Sequence, residues 1–267
     1  MTVGRYLLIG CLVWGAAVPG DAQSLEPRAP RDSLLAEAIG LSAFEPAEAA
    51  RRFEALTARD SLDAEAHWRA AIAWSESVAA LTAKPERPRR DSLNVRAEQH
   101  ARRALALDST GVWPAFALGL VLGKSALTKG IRARVRMAVE VRELALRALA
   151  ADSTHDGAHH LLGRWHAEVR RLSGFERLIA KAILGGGVFG QASWEAARAH
   201  LERAVMLDPT RIFHRLDLAA VCFDLADYTC AAAELREVAG LPERVAMDTA
   251  YKREGARLQA RLKPPRT

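Results

Sequence analysis

The chain has 267 residues, of which 50% are hydrophobic and 26% charged, with a formal net charge of +6. That length holds one or two compact domains or a single elongated repeat array, and the apolar content supplies a substantial core. The positive excess is mild and permits anionic partners without requiring them, and its three cysteines are too few for a disulfide scaffold.

Residues 1–22 read as an export leader. Arg5 supplies a short basic region, Tyr6 to Val18 an apolar stretch, and Val18 to Ala22 a small-residue cleavage region. The apolar stretch falls short of the ~20 residues a helix needs to span a bilayer. Cleavage after Ala22 and an exported, periplasmic protein are therefore expected. Leu8-Ile9-Gly10-Cys11 resembles a lipoprotein box, so lipidation at Cys11 is the alternative, and an uncleaved or lipidated leader is the one route to a membrane. Residues 23–31, punctuated by Pro27 and Pro30, form an extended linker.

Alanine, leucine, arginine and glutamate dominate the rest, and β-branched runs are scarce, which favours helix throughout. Periodicity predicts helices over 32–43, 46–59, 63–83, 91–107, 112–128, 131–150, 156–171, 174–184, 192–207, 212–225, 228–239 and 244–262. Arg31-Asp32-Ser33-Leu34, Arg59-Asp60-Ser61-Leu62 and Arg90-Asp91-Ser92-Leu93 read as helix starts, because Asp and Ser side chains accept from first-turn amides. Lys84 to Arg90, with two prolines, and Gly185-Gly186-Gly187 read as breaks between helices.

Ala104 to Thr110, ALALDST, returns as ALAADST at Ala148 and as AVMLDPT at Ala204. The offsets are 44 and 56 residues, followed by 34 to the segment ending at Leu241. Paired helices at a period of 34 are the tetratricopeptide pattern, and the longer offsets are the same unit with insertions of ten and twenty-two residues. Leu118-Gly119 and Leu162-Gly163 take the Leu-Gly positions of first helices, while Ala197 and Ala231 take the small position of second helices. The expected fold is all-α, a tetratricopeptide-like right-handed superhelix of antiparallel helix pairs over residues 32–262, with a tail at 263–267.

Residues 63–74 (DAEAHWRAAIAW), 129–150 (KGIRARVRMAVEVRELALRALA), 158–166 (AHHLLGRWH), 175–184 (FERLIAKAIL) and 193–210 (SWEAARAHLERAVMLDPT) together carry a narrower likeness. Over about residues 45 to 262 the chain resembles the regulator of microtubule dynamics family, helical proteins with divergent tetratricopeptide-like repeats. KGIRAR and FERLIAK fall in insertions that ordinary repeats lack. The resemblance implies the fold, a microtubule-linked role, and inter-helix packing or hydrogen bonding for His160.

His155, Asp156, His159, His160 and His166 cluster, and a shared metal-binding face is geometrically open. The segment is not HExxH and lacks the glutamate base, so a metal-dependent hydrolase is the weaker alternative, and neither a metal nor a cofactor is expected. Gly123-Lys124-Ser125 lacks the earlier glycine of a phosphate loop, since position 118 is Leu118. The basic run Lys129, Arg132, Arg134, Arg136, Arg142 and Arg147 has little aromatic interleaving, so a solvated face is preferred and nucleic acid is disfavoured as a partner. The tryptophans read mostly as packing residues, Trp165 above all. No GxSxG occurs and the chain is read as a non-enzyme. Cys222 and Cys230 lie symmetrically about a turn at Ala226; two small buried thiols are preferred over a bridge.

First helices of stacked repeats line a concave surface suited to proteins or peptides. Trp113, Phe116, His159, His166, His214 and Arg215 are the expected contacts there, for a peptide carrying carboxylates and apolar side chains.

Overall fold

The computed structural model describes residues 30–79, 81, 86–184 and 187–262. The leader, nearly all of the linker, the tail and Gly185-Gly186 lie outside the described residues. Among the described residues twelve α-helices follow in order: α1 Arg31–Leu41, α2 Pro46–Arg59, α3 Ala64–Ala79, α4 Arg87–Leu107, α5 Val112–Ala126, α6 Ile131–Ala151, α7 Asp156–Arg171, α8 Gly174–Leu184, α9 Trp194–Leu207, α10 Ile212–Asp224, α11 Tyr228–Gly240 and α12 Asp248–Arg261. No strand occurs among the described residues. The pairs α1–α2, α3–α4, α5–α6, α7–α9 and α10–α11 stack on one another, and α12 caps the last.

The aspartate of the repeated phrase, with Asp60 as a fourth instance, follows four second helices for a local reason. Asp60, Asp108, Asp152 and Asp208 each stand just past a helix, and each backbone amide still closes the last turn. Asp152 Oδ1 then accepts from the amide and the hydroxyl of Thr154 at 2.8 and 2.7 Å, and Asp208 treats Thr210 the same way. The side chain thus satisfies the amide that turns the chain into the next helix. Asp60 Oδ1 accepts from Leu62 N at 2.9 Å.

That finding corrects the reading of two of the three Arg-Asp-Ser-Leu phrases as helix starts; the first does open α1, at Arg31, without a side-chain cap. Arg59-Asp60 closes α2, and the capping acceptor for α3 is Asp63, whose Oδ1 takes the Ala66 amide at 2.9 Å. Asp91 lies inside α4, which begins four residues earlier than expected, at Arg87. Pro88 does not block it, because first-turn amides have no intrahelical acceptor to lose.

Small residues set the packing distances. A Cβ on Gly163 would stand 2.7 Å from Leu201 Cγ and 3.1 Å from the Ala197 carbonyl oxygen, so only glycine lets α7 lie this close to α9. Ala197 and Ala231 are fully buried on the opposite helices. The ten-residue insertion is absorbed mostly by helix length, since α6 has 21 residues where α9 has 14. The larger insertion is α8 and a short 3-10 turn at Phe189–Gln191, which separate α7 from its partner α9.

Cys222 and Cys230 are disulfide-bonded, which overturns the preference for free thiols. The intervening turn is tight: Ala226 adopts φ 59° and Asp227 N donates to Cys222 O at 2.9 Å. This sets the first turn of α11 beside the last turn of α10, with Cα atoms 5.8 Å apart, inside the range a bridge accepts.

Candidate functional site: the concave groove

The first helices α3, α5, α7 and α10 line a groove of about 990 Å³, with α12 closing one side. Counting from the aspartate that precedes each helix shows how it is built. Eight residues on stand Trp68, Phe116, His160 and Leu216; twelve on, Ile72, Leu120 and Arg164; sixteen on, Glu76, Lys124 and Glu168. A spacing of four keeps these positions on one helical face, so each repeat adds a rung. The rungs grade from aromatic and apolar to charged along the helices.

At the apolar end Trp68 and Trp113 stack with centroids 4.9 Å apart and planes 14° apart, and Phe116 meets Trp113 edge-on at 6.0 Å. The Arg69 guanidinium lies 4.3 Å from the Trp68 ring centre. Trp113 is 46% exposed and Phe44, on the loop between α1 and α2, is 62% exposed, so this end presents apolar surface to a ligand. The loop before α12 reaches back to the same place, where Ala246 N donates to Ala43 O at 2.8 Å and joins the first pair to the last.

The charged end is internally paired. Lys124 Nζ meets Glu76 Oε1 at 2.6 Å. Asp217 Oδ2 accepts from His160 Nε2 at 2.7 Å and faces Arg164 Nη1 at 3.4 Å. Burial pushes the His160 imidazole down to about 4, so it stays neutral and donates. Burial alone would raise the Asp217 carboxyl, but Arg164 and His160 outweigh it and hold it at about 2. Burial, with the nearby carboxylates of Glu76 and Asp217, raises the Tyr251 phenol far above its ordinary range, so it presents a neutral hydroxyl. The groove therefore offers an aromatic floor and a set of neutralised polar groups.

Of the six expected contacts, Trp113 and Phe116 line this groove, and four do not. His159 and Arg215 stand seven residues after their aspartates, one position short of the groove row. One residue is ~100° of helix rotation, which turns them toward the second helix of their own repeat. His159 Nδ1 lies 3.0 Å from His200 Nδ1 on α9, and Arg215 Nη1 lies 2.8 Å from Glu234 Oε2 on α11. His214 is fully buried against Asp156 at 2.9 Å, and His166 Nδ1 accepts from Ser193 N at 3.3 Å. The row that sequence reasoning missed, including Trp68 and Arg164, was available by counting register from the repeated aspartate, whereas Asp217, one position off it, and Tyr251 on α12 were not.

The histidine cluster does not converge on a shared face. His155 caps α7 by accepting from Ala158 N at 3.1 Å, while Asp156 and His160 bond residues of α10, and His159 and His166 bond α9 and its capping Ser193. Among the described residues no group of three His, Cys, Asp or Glu side chains is arranged to hold a metal ion. Gly123-Lys124-Ser125 sits inside α5 with Lys124 paired, and Trp165 is a packing residue, 4% exposed with its indole donating to Ala138 O at 2.7 Å. His160, bonded to Asp217 of α10, has the inter-helix hydrogen bond that the resemblance implied.

Comparison with known proteins agrees with this architecture. The family described as Regulator of microtubule dynamics protein 1-3 matches residues 40–263. Regulator of microtubule dynamics protein 1 of Bos taurus is 26% identical over 217 residues, which cover 80% of this chain and 67% of that protein. A thermophilic TPR protein of Thermus thermophilus has a similar structure, with a TM-score of 0.59 at 15% identity over 86% of this chain and 98% of that one. At that identity the structural likeness speaks for the fold alone. The sequence match spans all the stacked helix pairs except most of α1, and on it the chain belongs to the regulator of microtubule dynamics family.

Proposed function

We propose that this chain is a non-catalytic helical-repeat scaffold that holds a protein or peptide segment in its groove, acting outside the cytoplasm. The observation that carries the reading is the aromatic end of the groove, where Trp68, Trp113 and Phe116 form a continuous apolar floor beside exposed Phe44. A peptide offering apolar side chains to that floor suits it, since stacked repeats present such surfaces to extended ligands. Arg69, over Trp68, and the Arg164–Asp217 pair are the polar groups next to it, and a ligand carboxylate fits the Arg69 side. Export is supported by the leader pattern at Arg5 to Ala22 and by the Cys222–Cys230 bridge, a bond that persists in oxidising compartments.

Membership of the family supports a second reading, a microtubule-associated role, which requires that the leader not direct export. Screening the chain against an array of random peptides separates the groove from other surfaces. Peptides with spaced apolar residues and a carboxylate are expected to bind, and Trp113→Ala with Phe116→Ala is expected to weaken them by about tenfold or more. Retention of full binding by that folded double variant would move the site elsewhere. Co-sedimentation with microtubules, together with a mature N-terminus at Met1, would favour the second reading.

A further inference from the structure

The α3–α4 and α7–α9 pairs each carry a histidine bridge at equivalent places. His67 and His159 stand seven residues after Asp60 and Asp152, and His100 and His200 stand eight residues before Asp108 and Asp208. The Nδ1 atoms are 2.9 Å apart in the first bridge and 3.0 Å in the second. In both, the other nitrogen of the first histidine meets the carbonyl after the aspartate: His67 Nε2 to Ser61 O at 3.3 Å, and His159 Nε2 to Ser153 O at 3.1 Å. Arg215 repeats the arrangement toward Pro209 O and pairs with Glu234.

Counting protons separates the two bridges. A carbonyl only accepts, so His67 and His159 each keep a proton on Nε2, and one further proton is shared between the facing Nδ1 atoms. In the first bridge His100 Nε2 lies 3.0 Å from Glu54 Oε1, a second acceptor-only group, so a proton on that nitrogen meets a carboxylate, which it shares with Arg96. In the second bridge His200 Nε2 has no acceptor among the described residues, and its ring stacks on His166 with centroids 5.9 Å apart. That bridge is neutral.

We propose that the α7–α9 pair is an acid-sensitive joint, in which protonation of the His159–His200 bridge places an unbalanced charge between the helices and releases α9 from α7. The groups around it are the wrong ones to balance that charge. From α7 come His159 and His166, and from α6 Arg142 acts on His166. On α9 itself Arg198 is paired with Glu202 and with Asp227, the cap of α11, while Arg203 contacts Met206. The α10 carboxylates Asp217 and Asp224 are held by His160 and Arg164, and by Arg171. Glu195 is occupied at the α9 start, beside Ser193.

The joint is also the least tethered of the pairs. Twenty-two residues, including α8, run between Arg171 and Trp194, where other pairs have a short connection. Burial, followed by His159 and His166, pushes the His200 imidazole from 6.5 down to about 4. A lowered value means that the unfolded segment takes the proton first as pH falls. The contact is therefore fully effective above about pH 6.5 and is lost progressively as pH falls toward about 4.

Amide hydrogen exchange of the chain at pH 7 and pH 5, corrected for the intrinsic rate, tests this. Opening of α9 is expected to rise by on the order of tenfold and that of α4 by clearly less, since burial lowers the His67 imidazole too but Glu54 stands beside its partner His100. His159→Ala with His200→Leu copies the apolar pair Ala115 and Leu144, which occupy the equivalent positions of α5 and α6. In that variant the pH response of α9 is expected to shrink to the part that His166, bonded to Ser193 at the α9 start, contributes. Should it fold poorly, His200→Gln keeps a hydrogen-bonding partner for His159, cannot be protonated near neutral pH, and gives the same readout. An equal response of α4 and α9 in the parent chain, or a parent-like response of α9 in either variant, would overturn the proposal.

Discussion

The α3–α4 and α7–α9 pairs use the same two repeat positions for the same residue type, yet they are stabilised differently. In the first, Glu54 reaches from α2, and three donors converge on its Oε1: the Trp74 indole at 2.8 Å, His100 Nε2 at 3.0 Å and Arg96 Nε. In the second, the neighbours are imidazoles and an arginine. A repeat position therefore fixes which helices a side chain joins, while the residues brought in by the adjoining repeat fix what charges surround it. The two pairs also differ in their closest approach, since α3 has the fully buried Ala71 where α7 has Gly163, eleven residues after the respective aspartates.

The largest expected effect strikes the first pair. Glu54→Ala leaves the Trp74, His100 and Arg96 donors around a side-chain site that is only 15% exposed. A loss of about 2–3 kcal/mol at pH 7 is expected in urea denaturation, because donors are stranded rather than exchanged for water. A change below about 0.5 kcal/mol, the range of an ordinary surface substitution, would mean that the carboxylate is not what separates the two pairs.

A smaller effect belongs to the second pair. Gly163→Ala installs the residue that α3 already carries, but here the new Cβ meets Leu201 Cγ at 2.7 Å and a backbone oxygen at 3.1 Å. About 1–3 kcal/mol of destabilisation is expected, concentrated in exchange protection of α7 and α9. Neutrality at this site would show that α9 can withdraw without loss, and that the closeness of the pair is unimportant.

How much of this is legible in the sequence varies by the kind of information needed. Each of the twelve helices has its counterpart in the periodicity, because apolar spacing and the recurring aspartate are local signals, and the repeat period follows from them. The start of α4 is misplaced because Pro88 and the Asp91-Ser92 phrase suit either a break or a helical first turn, and nothing local decides between them. The disulfide depends on the φ of one residue, Ala226, whose type gives no hint of a left-handed turn. Groove residues need rotational phase as well as helix identity: Trp113 and Phe116 are in phase, and His159 misses by a single position beside His160. The histidines look like one cluster because sequence proximity hides that adjacent residues on a helix point to different neighbours.

Central to all of this is a partner held on the aromatic floor of the groove. Photo-crosslinking tests it most directly, with benzoylphenylalanine placed at Phe116, inside the groove, and separately at Met206, which is 66% exposed on α9 and away from the groove. Expressed in the native host, the chain labelled at 116 is predicted to yield a discrete crosslinked protein or peptide, abolished by Trp113→Ala, with no equivalent product from position 206. Products from position 206 alone, or products from 116 that persist unchanged with Trp113→Ala, would contradict it.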